Sequence, residues 1–173
     1  TYDVTYKFHT ADDCFDNRSG VCQGYCELFY RLAEPLNLRT EIIFGKSKDG
    51  NNVISDKGHS WLMVEVEDGW IFIEPTSGAG AVNDGVFIKN DNPMPWFDVD
   101  PYWLIFNHFP DEPHYQMVSP AIDIETFKML PSSIKPLLGD YGINPRDLFN
   151  RAITGKLNIP QFYDVNCKSI KVL

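Results

Sequence analysis

The sequence is short of positive charge: 15 lysines and arginines stand against 24 aspartates and glutamates, a net charge of −9. No basic run offsets that balance locally. Such a surface repels phosphate and releases few counterions, which excludes nucleic acid as a partner. No apolar stretch reaches the ~20 residues of a membrane-spanning helix. No signal peptide is visible, and the chain starts at Thr1 rather than Met, which reads as a trimmed or processed start. The cysteines at 14, 22, 26 and 167 form no C-x-x-C pair, so zinc spacing is missing. Asp84, Asp91, Asp98 and Asp100 lack the spacing of an EF-hand loop. No internal repeat or low-complexity tract occurs. Nothing here calls for a metal or a cofactor.

What is present suits a folded domain. The 173 residues are 43% hydrophobic and 14% aromatic, enough for a sizeable core. Tyr2 to Phe8 alternates apolar with polar residues and predicts a strand, while Asp12-Asp13 and residues 16–20 read as loop. Residues 22–34 predict an amphipathic helix with a stripe of Tyr25, Leu28, Phe29, Leu32 and Ala33, stopped by Pro35. A strand over Leu38 to Phe44 and a mobile loop over 45–58 follow. The clearest feature is a hairpin: Trp61 to Val66, a turn at Glu67-Asp68-Gly69, then Trp70 to Ile73. Residues 76–100 read as loop, Tyr102 to Phe106 as a strand, and 107–116 as a surface turn. A short helix capped by Asp123 and another starting after Asn144 are expected. Val165 to Leu173 reads as a final strand.

Three short segments carry chemistry. In Gly20-Val-Cys-Gln-Gly-Tyr25 a cysteine stands where a loop gives way to a helix. Free N–H groups and the helix dipole favour a thiolate there. Taken alone, such a cysteine is more often a small buried residue. In Gly58-His-Ser-Trp61 a histidine opens a strand, and a neutral imidazole beside a thiol can take its proton. In Ile73-Glu-Pro-Thr76 an acid ends an apolar strand, and a histidine N–H would compensate its burial. His59 and Glu74 lie on the two arms of one hairpin, so their side chains meet if both face the same way. Cys26, four residues after Cys22, reads as packing. His108 and His114 read as structural or cleft-rim residues. A redox or metal site built on Cys14, Cys22 and Cys26 is the weaker reading, because no fourth ligand is evident.

These motifs, in this order, resemble the transglutaminase-like core, in the kyphoscoliosis peptidase-type branch and its bacterial relatives. That branch has a Gly-Val-Cys-x-Gly-Tyr helix start, a His-x-Trp strand and an Asp-Pro-Thr-x-Gly-Ala-Gly turn. Asn107-His-Phe-Pro-Asp-Glu-Pro-His-Tyr-Gln116 is similar to its His-Phe-Pro segment, so the resemblance spans residues 15–140. It implies an α+β, papain-like cysteine-proteinase fold with the nucleophile helix packed on an antiparallel sheet. The expected layout is a core domain over 1–143 and a C-terminal extension, or the start of a further domain, over 144–173. The resemblance implies Cys22 as nucleophile, His59 as base and Glu74 as orienting acid, with Gln23, Gly24, Trp61 and Ser77 as substrate-binding candidates. The Cys22 N–H is the natural oxyanion donor, and a second would come from Gln23 or the N-terminal end. The implied activity is thiol-dependent acyl transfer or hydrolysis on peptide or protein amides: cysteine protease, deamidase or transglutaminase. The alternative is a peptide-binding module of the same fold. Two departures stand out: Glu74 replaces the usual Asp, and Ser77 stands where many relatives have Trp. Exported bacterial relatives and the trimmed start give an extracytoplasmic expectation.

Overall fold

Strand alternation and helix capping account for most of the architecture. The computed structural model describes residues 1–132 and 136–156. In chain order the elements are α1 (Ala11–Asn17), α2 (Cys22–Ala33), β1 (Thr40–Ser47), β2 (His59–Val66), β3 (Gly69–Ile73) and α3 (Pro75–Ala79). Then come β4 (Gly80–Asn83), β5 (Val86–Lys89), β6 (Phe97–Val99), α4 (Pro101–Leu104), β7 (His108–Pro110), α5 (Ile124–Met129) and α6 (Pro145–Ile153). The main sheet is antiparallel in the order β6-β3-β2-β1-β7, with β4-β5 as a separate hairpin. The α+β expectation holds.

The register sorts the sheet into two faces. Ile43 pairs with Trp61, Gly45 with His59, and Met63 with Phe72. With side chains alternating, Ile43, Gly45, His59, Trp61, Met63 and Phe72 share one face. This face builds the larger core with Tyr102, Trp103, Phe106, Phe127 and Phe149. The other face presents Leu62, Val64 and Ile73, covered by Cys26 and Phe29 of α2. Gly45 is required here: a Cβ would strike the Phe109 carbonyl and approach the Trp61 ring to 2.8 Å.

The helix over residues 22–34 and the hairpin formed as expected, and Asp123 and Asn144 cap α5 and α6 through Thr126 N–H and Asp147 N–H. Several expectations need correction. Tyr2 to Phe8 is not a strand, because the Asp3 carboxylate accepts from the Thr5, Lys7 and Phe8 N–H groups and turns the chain. Only Tyr2 pairs, in an isolated bridge with Gly20. Asp12 and Asp13 are helical: Thr10 caps α1 by accepting from the Asp13 N–H, and both acids favour its positive end. Leu32 is 60% exposed, while Ala33 and Phe29 of the expected stripe do pack inward, joined by Gly24 and Cys26. β1 runs on through Ser47, into the expected loop.

Residues 76–100 carry most of α3, the β4-β5 hairpin and β6, which the glycines and prolines concealed. The run expected as a strand at Tyr102 to Phe106 starts helically in α4, capped by the Asp100 carboxylate. All five of its residues are buried, and an apolar run buried on every side has no period to read. The expected surface turn at 107–116 contains β7, which pairs with β1. The segment from residue 144 opens with α6, and Phe149 of that helix is buried against Tyr102. The strand expected over Val165 to Leu173 lies outside the described residues.

Candidate active site

Cys22 opens α2, whose N-terminus has no side-chain cap. Its backbone N–H is therefore not claimed by a capping side chain. His59 opens β2, and Ile73, the last residue of β3, pairs with Leu62 and puts Glu74 across from Trp61. The thiol and the imidazole meet where β2 begins, within hydrogen-bonding reach of each other. His59 turns its Nε2 to Glu74 Oε1 at 3.5 Å, which leaves Nδ1 for the thiol.

Glu74 is fully buried, and its surroundings explain how a carboxylate tolerates that. It caps α3: Oε1 accepts from the Thr76 N–H and Oε2 from the Ser77 N–H, each at 3.1 Å. Oε2 also faces His108 Nε2 at 3.6 Å. His108, expected at the cleft rim or in a structural role, is in fact buried beside the carboxylate. The sequence signal was its His-Phe-Pro motif. Its meaning depended on β7 pairing with β1, where His108 faces Ser47. The His59 and His108 rings lie 5.1 Å apart, and both pack on Trp61.

The charge states follow from these contacts. Burial works against ionising the Cys22 thiol, but the hydrogen bond and charge of His59, with help from Ser60, bring it from 9.0 down to about 7. Burial likewise disfavours the His59 imidazolium, yet Glu74 and Cys22 raise it to about 10. Burial opposes the Glu74 charge too, and the two histidines overcome it and hold the carboxyl well below the usual range. Burial, with the His59 charge, keeps His108 neutral against the pull of Glu74. At neutral pH the arrangement is an imidazolium, a carboxylate and a neutral imidazole, with the Cys22 thiol about half ionised. Cys26 is buried and burial pushes its thiol far up, in line with a packing role.

A cleft of about 560 Å³ opens over Cys22 and His59. Tyr2, Tyr6, Phe44, Lys57 and Asp111 help to wall it. Gln23 also lines it. The other three substrate-binding candidates do not. Gly24 is buried against the Phe8 carbonyl, where a Cβ would come within 2.9 Å. Trp61 is 1% exposed and lies beneath the histidines. Ser77 sits on α3, holding Glu74 through its N–H. His59, Glu74 and His108 offer ligand atoms within 4.8 Å of one another, the spacing of a possible metal cluster. Both Glu74 oxygens already accept backbone N–H groups, and the two imidazoles face those same oxygens. Among the described residues no helix is long and apolar enough to cross a membrane.

A helix opening on a cysteine, laid on an antiparallel sheet that carries a histidine and a buried acid, is the α+β arrangement that the resemblance to transglutaminase-like domains implied. Residues 1–75 match the family model of the transglutaminase-like superfamily, a span that ends just past Glu74. The chain is similar to the kyphoscoliosis peptidases of Mus musculus and Homo sapiens, each 26% identical over 149 residues, 80% of this chain. Both findings are similarities to the transglutaminase-like superfamily, the family model over residues 1–75 and the two peptidases over 149 residues. The aligned region spans 22% of the length of those relatives.

Proposed function

We propose that this domain catalyses acyl transfer or hydrolysis on peptide or protein amides through a thioester on Cys22. The observation that carries the reading is the thiol–imidazole–carboxylate chain, with His59 between Cys22 and a Glu74 carboxylate 3.5 Å away. The Cys22 thiolate attacks the amide carbonyl and forms a C–S bond. The C–N bond then breaks, and the His59 imidazolium gives its proton to the departing amine or ammonia. Water or a lysine amine next attacks the thioester, passes a proton to His59 and releases the thiolate. Water gives protease or deamidase chemistry, and an amine gives a crosslink.

The oxyanion needs two donors. The Cys22 N–H at the open start of α2 is one. Tyr2 is the second in this reading. It shares the cleft wall with Cys22 and is tied by a backbone bridge to Gly20, two residues before the nucleophile. Burial, the Tyr6 hydroxyl and the Cys22 thiolate together raise its phenol, so it stays a donor.

The test is intact-mass analysis after incubation with a glutamine-containing peptide library, with and without a primary amine. An acyl adduct on Cys22, absent in Cys22→Ala, with release of ammonia or a new N-terminus supports the reading. Peptide that binds the cleft without adduct or product sinks it in favour of the peptide-binding module. That alternative draws on one observation: Glu74 replaces the family's Asp and spends both oxygens on α3 as well as on His59.

A further inference from the structure

The Glu74 carboxylate has more partners than an orienting acid needs. Its oxygens face His59, His108, and the N–H groups of Thr76 and Ser77. An acid that belongs to α3 as its cap would settle on the backbone N–H groups if nothing pulled it toward the sheet. Glutamate adds a rotatable bond compared with aspartate, so its carboxylate has more ways to drift from His59. His108 stands on the side that would oppose such drift. It is 5% exposed, within the larger core's layer, and packs edge-on to Trp61. A polar ring buried there needs a partner, and Glu74 Oε2 at 3.6 Å is the carboxylate it faces.

Resting on the thiol-triad reading above, we infer that His108 is a positioning residue: it anchors the far oxygen of Glu74 so that the near oxygen stays on His59. The groups facing His108 are Glu74 from the end of β3, His59 from β2 and the Leu104 carbonyl from α4. A neutral imidazole suits this task. It turns Nε2 to the carboxylate at 3.6 Å without bringing a second positive charge to compete with the His59 imidazolium. The β1-β7 pairing thereby becomes part of the site, because it holds His108 opposite Ser47. The glutamate at position 74 and the histidine at 108 act as a unit, with the second imidazole bracing the longer acid.

The experiment compares His108→Leu and His108→Gln, each in wild type and in a Glu74→Gln background. The first readout is the His59 ring titration by NMR. The second is the pH profile of Cys22 alkylation. In His108→Leu the His59 titration falls and the Cys22 alkylation inflection moves up, with a slowing at pH 7 of only roughly twofold, because a more basic thiolate is a better nucleophile. His108→Gln, which keeps an N–H donor, recovers most of both. In Glu74→Gln the further change His108→Leu has no added effect, since the path runs through the carboxylate. A His59 titration that is unchanged or raised in a folded His108→Leu overturns the inference, and so do effects of the two changes that multiply. Should His108→Leu fail to fold, His108→Gln against His108→Met decides on the same readouts. If wild-type Cys22 shows no reactivity, the thiol reading fails, while the His59 titration still decides the role of His108.

Discussion

Replacing His59 by alanine isolates what the imidazole does for the thiol. In the folded protein Cys22 is brought from 9.0 to about 7, against a burial effect that acts upward. Without His59 that burial remains and its main opponent is gone, so the inflection returns to 9.0 or above. At pH 7 the thiolate fraction drops from about one half to ~1%, roughly fiftyfold. A more basic thiolate is a better nucleophile, and over that range the gain is roughly six- to tenfold. The net slowing of alkylation at pH 7 is therefore only about five- to eightfold. The shifted inflection is the sharper readout. Site-resolved iodoacetamide labelling across pH 5–10 measures both quantities in one series. Cys14 and Cys26 are internal controls, since both are buried and burial raises both thiols. A wild-type Cys22 that titrates like a free thiol, or an inflection that ignores His59→Ala, would refute the thiolate–imidazolium pair.

Three further outcomes are expected. Tyr2→Phe lowers kcat on an amide substrate by roughly a hundredfold with little change in KM, the mark of a lost oxyanion donor; an unchanged kcat removes Tyr2 from the site. Gly45→Ala forces a Cβ against the Phe109 carbonyl and the Trp61 ring, so denaturant titration should show a loss of about 1–3 kcal/mol, as for overpacking. Lys48 donates to the Phe127 and Leu130 carbonyls at the end of α5, and burial lowers its ammonium from 10.5 to about 8. Between those values the unfolded chain binds more protons, so this group makes stability rise with pH. Wild type minus Lys48→Met should therefore climb from pH 8 to pH 10.5, and a flat difference contradicts the assignment.

The parts of the site legible in the sequence were those encoded over short distances. Cys22 declared itself by standing at a loop-to-helix boundary, and His59 and Glu74 by sharing a hairpin. Asp123 and Asn144 were readable because a cap acts on residues only three positions away. His108 was not, because its meaning arises from a strand pairing that brings it to Glu74, 34 positions earlier in the chain. The Tyr2 segment misled for a related reason: its alternation is that of a strand, but the single carboxylate of Asp3 gathers three local N–H groups and bends it. Trp61 looked like a cleft residue by its place in the His-Ser-Trp motif, yet pairing with Ile43 turns it into the core.

The two faces of the sheet carry different halves of the chemistry. The nucleophile belongs to the helix on the smaller cluster of Leu62, Val64 and Ile73, while His59, Glu74 and His108 lie with the larger core. The thiolate–imidazolium contact is thus a clasp across a seam between two hydrophobic bodies, fastened at the end of a strand. Loosening either body by mild denaturant should open the clasp before the sheet itself melts, so that thiol reactivity reports the docking of α2 as faithfully as it reports chemistry.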